Sequence, residues 1–117
     1  MGEVASPVGV EWIVTGGLDV AGASPKPSAT FADGTVSGST GCNRFTGPYT
    51  LEGEALEIGP LASTRMHCPP PADQVERAYL DGLGRVTAWR FDDAELVLLD
   101  REGFELVRFR AASLGSG

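Results

Sequence analysis

Apolar and polar residues alternate in several short windows, the period expected of strands with one face turned inward. Val10, Trp12 and Val14 alternate with Glu11, Ile13 and Thr15 until Gly16 and Gly17 break the run. Residues 18–27, which contain Pro25 and Pro27, read as a loop. Ala29 and Phe31 start a second strand, and Thr35–Ser37 returns from it after Ala32-Asp33-Gly34, a turn sequence. Gly38 to Phe45 reads as a loop of mainly small residues. Tyr49–Leu51 and Leu56–Ile58 then flank Glu52-Gly53-Glu54 as a further hairpin. Pro60–Met66 is expected to be extended, with Pro60 arguing against a central strand position.

The period changes once. After Pro69-Pro70-Pro71, Asp73-Gln74-Val75-Glu76 has the form of a capping box. Val75, Tyr79 and Leu83 follow at helical spacing with Ala78 beside them, predicting a helix over 73–83 that Gly84 ends in a left-handed cap. Val86–Phe91, Leu96–Leu99 and Phe104–Phe109 return to strands, separated by Asp92-Asp93-Ala94 and Arg101-Glu102-Gly103. The continuous apolar run Leu96–Leu99 suits a strand covered on both faces. The pattern predicts a mainly β chain (α+β) of about eight short strands and one helix, its antiparallel sheet bent or closed like a barrel.

A chain of 117 residues fits one domain with a core of its own. Its net charge of −7 and dispersed basic residues argue against nucleic acid and against charge-driven binding to an anionic membrane surface. No apolar run approaches the roughly 20 residues a membrane helix needs, so direct membrane insertion of this segment is not expected. Cys42 and Cys68 form an even count, compatible with one disulfide or with two buried thiols.

Catalytic and metal signals are sparse. Neither a Gly-x-Gly-x-x-Gly nor a Walker pattern occurs. His67 is the single histidine, and its neighbour Cys68 is the one sequence-adjacent nucleophile, with adjacent strand side chains pointing to opposite faces. Cys42, His67 and Cys68 lack a fourth ligand and the usual zinc spacing. The expectation is no cofactor, no metal and no enzyme, with a Cys/His enzyme as a minor alternative. Asp92-Asp93 in a turn, and Glu76, Arg77 and Asp81 on the helix, read as solvated groups, with Arg77 and Asp81 spaced to pair.

Two segments are more specific. Val36-Ser37-Gly38-Ser39-Thr40-Gly41-Cys42-Asn43-Arg44-Phe45-Thr46-Gly47 and Leu61-Ala62-Ser63-Thr64-Arg65-Met66-His67-Cys68 resemble the two signatures of the HslJ/META domain family. Trp12, the helix after the second Cys, and Leu96, Leu98 and Leu106 fall in matching order. The resemblance covers about residues 8–110, leaving 1–7 and 111–117 as tails. It implies a partly open, lipocalin-like β-barrel with one helix. It also implies a bacterial envelope lipoprotein or exported protein, associated with stress or drug resistance and without a settled molecular activity.

The expectations that follow are a non-enzymatic, monomeric, extracytoplasmic domain binding a partner protein or a lipid-like apolar ligand. The sequence shows no export signal, and a cytoplasmic location is the alternative. A structural stability module of a larger secreted protein is the alternative function. Because each signature carries one cysteine and the resemblance suggests export, a Cys42–Cys68 disulfide is expected, with the two loops meeting. Gly38, Gly41 and Gly47 are expected to permit close backbone approach, and Asn43 to brace a turn by hydrogen-bonding its own backbone, with reading of a ligand the alternative. Arg44 and Arg65 are expected to pair with acids or carbonyls, near Thr64 and Met66, with an anion site formed by the two guanidinium groups the alternative. Trp12, Phe31, Leu56, Trp89, Leu98 and Phe109 are candidates to line an apolar pocket on the concave face, with a filled core the opposing expectation.

Overall fold

A computed structural model describes residues 6–18 and 26–112. The outer parts of the expected tails, residues 1–5 and 113–117, lie outside these, as does 19–25 of the expected loop. The strands are β1 (Glu11–Gly16), β2 (Ser28–Ala32), β3 (Thr35–Ser39), β4 (Arg44–Glu52), β5 (Ala55–Ile58), β6 (Ala62–Ser63), β7 (Ala88–Asp92), β8 (Glu95–Leu99) and β9 (Glu105–Ala111). The helix α1 (Ala72–Leu83) stands between β6 and β7.

All nine strands join one antiparallel sheet in the order β3-β2-β1-β9-β8-β7-β5-β4-β6, and β3 also pairs with β4. Eight strands therefore form a ring, with β6 added beside β4. Closure is thin on one side. β5 meets β7 through the single pair Ala55–Ala88, supported by Leu56 N–H to Thr87 C=O and Trp89 N–H to Glu54 C=O.

Turn chemistry acts where the sequence placed it. Asp33 and Gly34 both take positive φ (54° and 79°), the conformation that lets a two-residue hairpin follow the twist of its strands. β4 is longer than expected, because Arg44 and Phe45 read as the end of a loop and the strand was expected to start only at Tyr49. Gly47 lets Pro60 and Leu61 approach at distances a Cβ would block. Pro48 lacks a donor where the register slips between Tyr49–Ile58 and Thr46–Ala62, so it interrupts a ladder already broken by a bulge.

Inside the ring, alternate residues form one core: Trp12 and Val14 of β1, Phe31 of β2, Leu56 of β5, Leu96 and Leu98 of β8, Val107 and Phe109 of β9. Helix α1 adds Val75, Tyr79, Gly82 and Leu83 as its buried residues. Tyr79 is fully buried, makes edge contacts with Phe45 and Phe109, and donates its hydroxyl to Ser28 C=O at 2.7 Å. Burial holds its phenol well above the usual tyrosine pKa. Val97 is buried on the other face, in register between Arg90 and Arg108, whose stems can cover apolar neighbours. This is the two-sided burial expected of β8. The Arg108 guanidinium meets Asp92, Glu95 and Glu105 at 2.9–3.0 Å.

Four expectations about the helix are corrected. It starts at Ala72 with Pro71 as N-cap, and no side chain caps it. Glu76 therefore lies beyond the third helical residue and cannot close a capping box with Asp73. Ala78 is exposed, while Leu80 packs against the core. Gly84 has right-handed φ (−74°), and Asp81 pairs with Arg85 at 3.6 Å rather than with Arg77.

Candidate functional site

The two signature segments meet beside the N-terminal half of α1. Cys42 and Cys68 form a disulfide, with Cα atoms 6.2 Å apart. This brings residues 26 positions apart in sequence together and removes both thiols from nucleophilic or metal chemistry. His67 beside them is exposed.

Asn43 is the centre of the junction and is 4% exposed. Its Oδ1 accepts from Met66 N–H at 2.6 Å and from the Thr64 hydroxyl at 2.9 Å. Its Nδ2 donates to Glu76 Oε2 at 2.8 Å and faces Met66 C=O at 3.3 Å. The amide thus replaces a stretch of strand ladder: Met66 reads both ends of a side chain as if it were a backbone partner. Thr40, fully buried, shares the acid by donating its hydroxyl to Glu76 Oε2 at 2.8 Å, and accepts from Asn43 N–H at 2.8 Å. Thr64 N–H to Arg44 C=O and Arg44 N–H to Thr64 Oγ1, both 3.0 Å, continue the pairing beyond β6.

Glycines make the approach possible. Gly41 has φ +93°, a conformation that β-carbon sterics disfavour. A Cβ on Gly38 would collide with Ser28 C=O on the neighbouring strand. Gly38 and Gly47 admit a close backbone neighbour, whereas the Asn43 side chain reaches Met66, Thr64 and Glu76 instead of bracing its own turn.

Other assignments change. Among the described residues, neither the Arg44 nor the Arg65 guanidinium makes a hydrogen bond or ion pair within the junction. The acid that joins it is Glu76, which the sequence placed on a wet helix face. A signal was available: Glu76 lies three residues before Tyr79, at the border of the apolar stripe. Met66 contributes backbone groups while its side chain is 63% exposed.

The six candidates for an apolar pocket lie elsewhere. Trp12, Phe31, Leu56, Leu98 and Phe109 are at most 4% exposed and belong to the core. Trp89 is half-buried, with its indole N–H donating to Gly53 C=O at 2.9 Å. The principal hollows are on the outside. One of about 510 Å³ lies at the thin closure, beside Glu57, Ile58, Arg85 and Arg101. One of about 520 Å³ lies over β3, β4 and β6. It adjoins another of about 330 Å³ through Ser37 and Arg44. None of these three hollows is lined by any of the six, because the inward faces of the ring and α1 fill one another.

The sequence model of the META domain matches residues 9–113, which include both signatures, the whole ring and the helix. The chain belongs to the META domain family. A comparison with curated proteins finds no match. Two solved NMR structures share the META-domain chain's fold. One, of a protein from Burkholderia xenovorans, is 23% identical, covers 97% of this chain and 96% of that one, and has a TM-score of 0.70. The other is 23% identical over 96% and 99%, with a TM-score of 0.71. A crystal structure of a DUF4847 family protein from Bacteroides vulgatus ATCC 8482 is 20% identical over 72% of this chain and 57% of that one, with a TM-score of 0.57. At these identities the likeness concerns the fold alone. The disulfide of this META domain fits an extracytoplasmic location, where such bonds persist. No described helix is long and apolar enough to cross a membrane.

Proposed function

We propose that this META domain is a non-enzymatic binding module of the bacterial cell envelope that engages a partner protein through its outer surface. The observation that carries the reading is where the signature groups are spent. Asn43, Thr40 and Thr64 satisfy one another, Met66 and Glu76 within the chain. A catalytic constellation would need such groups aimed at a substrate. Cys68, the nucleophile beside His67, is tied in the disulfide. Core packing inside the ring favours a partner on the surface over an apolar ligand within it.

The test is site-specific photo-crosslinking in the host's envelope, with the probe introduced in turn at exposed surface positions such as Met66 and Phe104. The reading expects a discrete adduct with one envelope protein, unchanged by His67→Ala. Absence of an adduct from every exposed position would overturn it. So would a turnover reaction that His67→Ala abolishes without changing the melting temperature.

A further inference from the structure

We propose that the outer face of β3, β4 and β6 docks an extended, acidic segment of a partner protein; this rests on the binding-module reading and gives it a site. β6 ends the strand order and pairs with β4 alone. Thr64 N–H turns toward Arg44 C=O. Backbone direction alternates along a strand, so the N–H and C=O of Ser63 point away from β4, toward the open edge. Ala62 and Ser63 are both exposed. An added strand can take up these groups, as in β-augmentation.

The face beside this edge has matching chemistry. The hollow of about 520 Å³ is lined by Thr46, Ala62, Ser63 and Thr64 among others, and much of its floor is carbon. Arg44 stands at its junction with the neighbouring hollow, which adds Lys26 and Glu11. Two cations therefore face one acid in a chain of net charge −7. Among the described residues, Arg44 has no carboxylate at ion-pair distance. Its guanidinium fork suits a carboxylate brought by a partner.

Register gives the spacing. Ala62 pairs with Thr46, and two residues further on Thr64 N–H donates to Arg44 C=O while Arg44 N–H donates to Thr64 Oγ1. A segment laid along β6 would therefore set a small apolar side chain over Ala62 and, two residues along on the same face, an acid toward Arg44. The disulfide and the Asn43 junction hold this edge in place, which lowers the ordering cost of binding.

The experiment is a backbone-amide NMR titration of the full oxidised chain. The probe is a capped peptide whose outward residues alternate Glu and Val, with Thr between. We expect saturable shifts confined to β3, β4 and β6, and none with the analogue carrying Lys for Glu. Arg44→Glu should weaken binding roughly 10-fold or more, as for loss of a charge-assisted pair. Ser63→Pro, which removes an outward donor and no β4 bond, should weaken it while the melting temperature holds. No saturation at about millimolar peptide, shifts on another face, or binding indifferent to Arg44→Glu would overturn the proposal. It would also fall if oligogalacturonate saturates the same residues while the peptide does not, since the face would then take an anionic saccharide. A crosslinked envelope partner seated on a different face would remove this site and leave the binding-module reading intact.

Discussion

Replacing Asn43 by alanine, with the disulfide kept oxidised, removes the centre of the junction without releasing its tether. Three partners lose contacts: Glu76 Oε2, the Thr64 hydroxyl, and both backbone groups of Met66. The bond to the carboxylate contributes about 1.5–3 kcal/mol and each neutral bond about 1 kcal/mol before solvent replaces it. Thr64 and Met66 are exposed, so water can recover part of their loss, whereas Glu76 keeps Thr40 as its one side-chain donor among the described residues. The expected net cost is about 3 kcal/mol, equivalent to a fall in melting temperature of roughly 10–20 °C for a domain of this size. Urea denaturation followed by tryptophan fluorescence gives the free energy, and non-reducing mass spectrometry confirms the disulfide. A change below about 0.5 kcal/mol, the range of ordinary surface substitutions, would refute the reasoning. Asn43→Asp is a sharper probe, because it sets a second carboxylate where Nδ2 lies 2.8 Å from Glu76. Its destabilisation should be largest near neutral pH and shrink as acid protonates one of the pair.

Reduction of Cys42–Cys68, which closes a loop of 26 positions, should cost roughly 3–4 kcal/mol in the chain-entropy model, measured as the difference in urea stability with and without reductant. Tyr79→Phe leaves the buried Ser28 carbonyl without its donor and should cost about 1–3 kcal/mol, read from thermal unfolding. Leu83→Ala, at a fully buried position, should cost roughly 2–5 kcal/mol; an unchanged denaturation midpoint would place α1 away from the core. The carboxyl of Glu105 is held below its ordinary value of 4.5, chiefly by its hydrogen bonds to Arg108. Its contribution is therefore full above that value and is lost as pH falls through the lower, folded-state value. Arg108→Gln should flatten this acid limb of the stability profile, and an unchanged limb would contradict the assignment.

Much of the sheet was legible because strand burial follows a two-residue period. Trp12 and Val14 point inward as their alternation requires, and the unbroken Leu96–Leu99 run belongs to a strand buried on both faces. Asp33-Gly34 marked its hairpin through the positive φ it needs. β4 was cut short in the reading because Gly47 and Pro48 are locally poor strand residues. Tertiary pairing overrides them, since Gly47 makes room for Pro60 and Leu61 and Pro48 sits at a bulge. At the junction, the cysteine pairing and the meeting of the signatures followed from the family resemblance. The ionic partner did not. Glu76 was read against Asp73 within one turn, whereas its partners Thr40 and Asn43 are 36 and 33 positions away. Local spacing carries no signal at that distance. Arg44 and Arg65 lie in the signature loops and their guanidinium forks suit acids, yet the junction's needs are met by an amide, hydroxyls and one carboxylate.

The central claim is that the two signatures build a junction locked onto the helix through Asn43 and Glu76. A double-mutant cycle with Asn43→Ala, Glu76→Ala and the double variant isolates that link from the cost of each truncation. Urea stability of all four oxidised proteins should give a coupling energy of about 1–3 kcal/mol. Additive costs, with a coupling within about 0.3 kcal/mol of zero, would show that the two side chains act independently and would contradict the account.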